Sequence, residues 1–188
     1  MKTCAIGFLL IALAVPVNAA LLHDESVNGD LGTDPLIPTA IVFPVGSSKI
    51  IGTTGNIGTL DRDYITFTIA AGQKLIGLNL LALAPNNIAF TSFNAGATSY
   101  APSAATAANF LAGIHITALE VGTDLMPLFV SDSVTGNFLP APELGPGTYC
   151  FLIQQTSPIL QSYSLEFVVS GPVPTGPTTW GTIKALYK

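Results

Sequence analysis

Short runs in which apolar and polar residues alternate recur along this chain, separated by clusters of Gly, Pro, Asn and Ser. Successive side chains leave a pleated strand on opposite faces, so period-two alternation predicts strands with one buried and one wet side. In residues 64–69, Ile65, Phe67 and Ile69 share one face while Thr66 and Thr68 take the other. Residues 162–169 repeat the pattern, with Tyr163, Leu165, Phe167 and Val169 inward and Ser164 and Glu166 outward. Residues 40–45, 49–53, 88–93 and 148–155 are also predicted strands, and no long stretch shows helical periodicity. Residues 74–83 are apolar at both parities, through Leu75, Ile76, Leu78, Leu80, Leu81 and Leu83. That predicts a central strand covered on both faces. The fold class expected is therefore all-β, an antiparallel sandwich or barrel.

Punctuation divides the rest. Residues 1–20 carry one cation at Lys2, an unbroken apolar stretch, and small residues at Ala19 and Ala20, the pattern of a secretory signal peptide cleaved at that point. Residues 21–171 form the expected β-domain. The Pro/Gly-rich residues 172–179 cannot continue a sheet, because proline supplies no ladder donor. Residues 180–188 make a short tail in which Trp180, Ile183 and Leu186 or Tyr187 fall at helical spacing. It is expected either to fold back on its domain or to act as a sorting or recognition tag. Residues 94–112, rich in Ala, Ser and Thr, read as a long surface insertion in which only 104–111 could form a short helix. The run Gly52-Thr-Thr-Gly-Asn-Ile-Gly is followed by neither lysine nor helix, so it predicts a hairpin-like turn rather than a phosphate cradle.

Charge narrows the function classes. Net charge is −5, and Lys49, Arg62, Lys74, Lys184 and Lys188 are scattered, which argues against nucleic acid. Leader cleavage would remove Cys4 and leave Cys150 as the one thiol of the mature chain, without an internal disulfide; Cys150 reads as a small buried hydrophobe. For catalysis the inventory is thin. His23 lies beside the new N-terminus, and His115 sits in the strand-like run Gly113-Ile-His-Ile-Thr as a core or edge residue. No nucleophile elbow or transition-metal set accompanies it. Glu120, Asp124, Glu143 and Glu166 are available for a glycosidase pair, yet sequence offers no way of pairing them. The chain is expected not to be an enzyme.

Three stretches together resemble the bacterial pre-peptidase C-terminal domain. They are Asp61-Arg-Asp-Tyr-Ile-Thr-Phe-Thr-Ile-Ala-Ala-Gly-Gln-Lys-Leu, Leu144-Gly-Pro-Gly-Thr-Tyr-Cys-Phe-Leu-Ile-Gln and Ser162-Tyr-Ser-Leu-Glu-Phe-Val-Val. The resemblance implies a jelly-roll-like antiparallel β-sandwich appended to or forming part of exported proteins; a generic immunoglobulin-like or carbohydrate-binding sandwich is the alternative. Asp61 and Asp63 stand on one side of the chain, and Asp24, Glu25, Asn28, Asp30 and Asp34 add oxygen donors of the kind a hard cation takes. The resemblance implies calcium held by Glu25, Asn28, Asp30, Asp61 and Asp63. The competing reading is that these acids cap turns and face water.

The expectation that follows is a non-catalytic secreted or cell-surface module, extracytoplasmic and without a transmembrane segment in its mature chain, that binds a polymer (glycan or protein matrix) or a surface partner. Tyr100, Phe93 and Phe110 are candidates for a stacking patch. A structural extracellular-matrix or surface component with a C-terminal sorting or docking tail is the alternative. A hydrolase would need His115 gathered with carboxylates.

Overall fold

The computed structural model describes residues 19–172. The expected leader, apart from Ala19 and Ala20, lies outside the described residues, as do the tail and all of the linker except Pro172. The strands are β1 (Ala20–Asp24), β2 (Thr39–Ala40), β3 (Gly46–Asn56), β4 (Leu60–Ile69), β5 (Lys74–Ala84), β6 (Ala89–Ala95), β7 (Ala112–Ile116), β8 (Gly147–Gln154) and β9 (Leu160–Ser170). Two single-turn helices, α1 (Glu25–Asn28) and α2 (Leu128–Ser131), and two 3-10 turns interrupt them. No helix among the described residues is long and apolar enough to cross a membrane.

One sheet has the order β1-β3-β9-β5 and the other β2-β4-β8-β6-β7, the two joined where Gly55 pairs with Asp61 and Asn56 with Leu60. Pairing is antiparallel throughout except for β1 on β3 and β2 on β4. The result is an antiparallel β-sandwich, as the alternating pattern requires. Its core lies between the sheets: Ile65, Phe67, Phe93 and Phe151 from one meet Ile50, Leu78, Leu165 and Phe167 from the other. Phe167 is the hub, with ring centroids at 4.4 Å from Phe43, 5.4 Å from Phe151 and 6.0 Å from Phe67. Each such ring buried contributes about 1.5–3 kcal/mol.

β5 departs from expectation. It is the terminal strand of its sheet, paired only with β9. Register shifts between Leu75 and Gly77 and between Leu80 and Ala82 put Leu75, Leu78, Leu80 and Leu83 on the inner face and leave Ile76 and Leu81 about two-fifths exposed. Each bulge inserts one residue and flips the alternation, so a one-faced strand reads as apolar at both parities. Its free edge is covered by a later connection, Leu80 N–H bonding Thr123 O, Leu125 N–H bonding Leu78 O, and Leu75 exchanging bonds with Leu144. The strand covered on both faces is β8: Phe151 and Ile153 face the core, while Cys150 and Leu152 pack with Tyr64 and Phe110 on the outer side.

That outer cover is the 94–112 insertion. It lies over the β4-β8-β6 surface as a partial third layer, tied down by Ser99 N–H to Pro35 O at 2.8 Å and by Asn137 Nδ2 to Phe110 O at 2.7 Å. Its only helical turn is Ala107–Asn109. Two smaller expectations also shift. Of residues 40–45 only Ala40 is in a strand, the short β2, and Phe43 then turns into the core. Gly52 and Gly55 lie within β3, so the turn to β4 falls at residues 57–59.

Candidate functional site

The acidic residues meet at the end of the sandwich where β3 passes into β4. β1 runs beside β3 and ends at Asp24, whose Oδ1 caps α1 by accepting the Ser26 N–H at 3.0 Å and hydroxyl at 2.6 Å. Gly29, at φ +88, ends the turn in a conformation that other residues avoid. This sharp reversal hangs Glu25 over β3. One Glu25 oxygen accepts the Thr53 N–H at 2.6 Å and the Thr53 hydroxyl at 3.1 Å, and the other accepts the Leu31 N–H at 3.2 Å. Asp30 follows. From β4, Asp61 and Asp63 have the same parity and project to the same side. Both stand inside β4, which begins at Leu60, four residues earlier than the alternation at 64–69 predicts.

Oxygens of Glu25, Asp30 and Asp63 all lie within 4.8 Å of one another. A depression of about 400 Å³ lined by Glu25, Ser26, Asp30, Thr53 and Asp61 opens above them. Asp63, beside Glu25 and Asp30, is fully buried. The Tyr163 hydroxyl donates to Asp63 Oδ2 at 2.8 Å, whereas Asp63 Oδ1 and Asp61 Oδ1 are buried without a partner. Burial, then the charge of Glu25, raises Asp63 well above the ordinary carboxylate range. Burial, with Asp30 and Glu25, pushes Asp61 up to about 6, and burial raises Glu25 as well. Among the described residues the one ion pair is Lys74 with Glu143, on other elements, so no protein cation is paired with this cluster. Close carboxylates in that state either hold protons or take up a cation. The donors are all oxygen, and Asp63 Oδ1 is a buried acceptor without a partner, so the set fits a hard cation such as calcium.

Of the five expected ligands, Glu25, Asp30 and Asp63 bring oxygens within 4.8 Å of one another, and Asp61 lines the depression beside them. Asn28 is turned elsewhere, its Oδ1 accepting the Asp24 N–H at 2.9 Å within the α1 turn. Asp24 and Asp34 cap turns, Asp34 through the Leu36 N–H at 2.8 Å. Tyr163 and Thr53 were not foreseen as part of the cluster, nor was Gly52, whose missing side chain lets the Tyr163 phenol pass. Their signal in sequence is the β3–β9 register, which sets Gly52 opposite Tyr163 and cannot be read from either strand alone.

Other chemistry-bearing residues lie apart. His115 is exposed on the outer side of β7. Glu120 closes a capping box with Thr117, Asp124 accepts the N–H groups of Leu78 and Met126, Glu143 pairs with Lys74 at 2.5 Å, and Glu166 accepts from Asn79 at 2.6 Å. Each of these acids fastens a loop or strand. Cys150 is buried, which pushes its thiol up to about 12. Of the aromatic candidates, Phe93 belongs to the main core and Phe110 to the outer cluster, while Tyr100 is about half exposed.

No family model matches the chain, and no curated protein matches it. Among solved structures the chain is similar to that of Salmonella Typhimurium PliG, a periplasmic lysozyme inhibitor of g-type lysozyme. That match has 14% identity, covers 71% of this chain and 100% of the other, and has a TM-score of 0.35.

Proposed function

We propose that this chain is a non-catalytic, secreted or cell-surface β-sandwich module that binds an extracellular polymer or surface protein, and that calcium fastens its acidic N-terminal segment to the sandwich. Kinship with pre-peptidase C-terminal domains is part of the same reading. The observation that carries it is Asp63, a fully buried carboxylate with one oxygen left without a donor, grouped with Glu25 and Asp30 so that a carboxylate oxygen from each lies within 4.8 Å of the others. An uncompensated buried charge is costly. Calcium takes about six to eight oxygens in flexible geometry, and Glu25, Asp30, Asp61 and Asp63 would supply carboxylates, with waters on the open side. Bound there, the ion would bridge the N-terminal segment and β4.

Asp124 and Glu143 are engaged as structural fasteners, which supports a binding reading. Calorimetric titration with calcium, together with melting curves in calcium and in chelator, tests the ion. Heat and a raised melting temperature are expected; neither appearing removes calcium from the reading. A glycan and matrix-protein screen under the same two conditions tests the module, and binding to nothing in either condition overturns it.

A further inference from the structure

The outer side of the β4-β8-β6-β7 sheet carries one row of side chains that runs across all four strands. His115 on β7 pairs with Phe90 on β6, Phe90 with Gln154 on β8, and Gln154 with Arg62 on β4. Paired residues of neighbouring antiparallel strands project from the same face, so these four form a continuous strip. Arg62 Nε donates to Gln154 Oε1 at 2.7 Å. The Phe90 ring stands edge-on to His115 and to Phe110, each at 5.9 Å. Gly113 beside them is bare for a reason: a Cβ there would sit 2.7 Å from Phe90 Cζ and 2.8 Å from Thr135 Cγ2. The ring is therefore fixed in place by a close approach of the backbone.

The insertion overhangs this strip and borders an open pocket of about 380 Å³, within the usual range for ligand sites. Its walls are mainly apolar, with Ile88, Pro102, Ala104, Ala107 and Val134 around the two phenylalanines. Ile88 and Val134 are more than half exposed. A hydroxyl-rich sugar ring would leave several of its groups without partners on such walls. An aliphatic or aromatic side chain would not.

Charge supplies the second constraint. Acids outnumber Lys and Arg by 11 to 6 in this chain, yet no acid lines the pocket. Arg62 is the chain's only arginine and, among the described residues, is paired with no carboxylate. Arg62 and His115, the basic side chains of this sheet, mark the two ends of the row. The row spans three strand spacings, about 14 Å, which is the reach of about four extended residues.

We infer that this pocket recognises an acidic segment of an extracellular protein, seating one apolar side chain against Phe90 and Phe110 while a neighbouring carboxylate engages the free fork of Arg62. The inference rests on the reading of the chain as a binding module and names the site and partner chemistry of that module. Arginine suits the task because its planar guanidinium offers paired donors to a carboxylate.

The test is fluorescence anisotropy of a labelled, N-acetylated tetrapeptide titrated with the full chain in calcium. Its leucine and glutamate stand two positions apart, so that both leave one face of the extended chain, with glycine at the other positions. Saturable binding that weakens with salt is expected, with the leucine–lysine counterpart failing to bind. Arg62→Gln, and Ala104→Trp, which fills the pocket mouth from an exposed position, are each expected to weaken binding about tenfold or more with unchanged melting curves. Should Ala104→Trp perturb folding, Val134→Asp on the opposite wall serves instead by repelling the acidic ligand. Equal binding of the lysine peptide, unchanged affinity in the folded variants, or tighter binding of hexagalacturonate than of the peptide overturns the inference. So does failure of the peptide to bind while the broad screen finds another partner; failure of both sinks the module reading itself.

Discussion

The phenol of Tyr163 lies across the α-carbon of Gly52, its direct partner in the β3–β9 pairing, and from there donates to Asp63 Oδ2 at 2.8 Å. A Cβ at position 52 would stand 2.6 Å from Tyr163 Cζ, closer than carbon atoms approach without a shift. Gly52→Ala is therefore expected to push the ring off Asp63 and cost about 1–3 kcal/mol, as overpacking in a filled core does. Tyr163→Phe keeps the ring and removes the donor, leaving Asp63 without its hydrogen bond, at about 1–3 kcal/mol. Urea unfolding midpoints at constant slope check both. A Gly52→Ala midpoint equal to wild type would show that the phenol is not held there.

Asp63→Asn separates the cost of the buried charge from the gain of binding an ion. The amide has nearly the shape of the carboxylate and carries no charge, so in chelator the variant is expected to melt at or above the wild-type temperature. In calcium it is expected to show little or none of the wild-type rise. Asp61, half-buried and with one orphaned oxygen, should show the same direction with a smaller effect on substitution by Asn. Differential scanning calorimetry with and without calcium makes the comparison. A full calcium response in Asp63→Asn would remove that residue from the proposed site.

The same carboxylates set a pH dependence whose sign differs with calcium. Burial, then Asp30 and Glu25, raises Asp61 from 3.8 to about 6, and burial raises Asp63 and Glu25 too. The folded chain then holds more protons than the unfolded one in that interval. Their contribution is fully present below the unfolded values and is lost as pH rises through the folded ones. In chelator, stability from this cluster is expected to fall as pH climbs from 3.8 through about 6. Calcium competes with those protons, so its affinity is expected to rise over the same interval. Melting temperatures on either side of the interval, in chelator and in calcium, should diverge as pH increases; parallel curves would contradict the linkage.

Much of the fold was legible because β4 and β9 each have one wet face, so Ile65-x-Phe67-x-Ile69 and Tyr163-x-Leu165-x-Phe167 announce their own orientation. β5 was misread because bulges at Ile76 and Leu81 imitate two-sided burial. The doubly covered strand, β8, carries the truer signal in the unbroken Tyr149-Cys150-Phe151-Leu152-Ile153, but recognising it requires knowing that Phe110 returns over its outer face. At the acidic site, Glu25, Asp30, Asp61 and Asp63 were grouped through the resemblance, which also took in Asn28, a residue whose amide oxygen instead accepts the Asp24 N–H. Tyr163 and Gly52 could not be foreseen, since they meet Asp63 only through a strand register more than a hundred positions apart in sequence.

The insertion offers a last measurement, because Phe110 either anchors a true third layer or merely rests on the sheet. Phe110 is 2% exposed and packs with Tyr64, Cys150, Leu152 and Phe90. Phe110→Ala removes that anchor; large-to-small changes at such sites cost about 3–5 kcal/mol when the cavity cannot collapse. Cys150 reports on the layer directly, being buried beneath it with a thiol pushed up to about 12. In a Cys4→Ser background a thiol-reactive disulfide reagent should label the native chain slowly, because the thiolate is the reacting form and access is blocked. The Phe110→Ala chain should be labelled much faster under conditions where its sheets, followed by circular dichroism, remain folded. Equal labelling rates in the two folded chains would mean that the insertion does not seal this face.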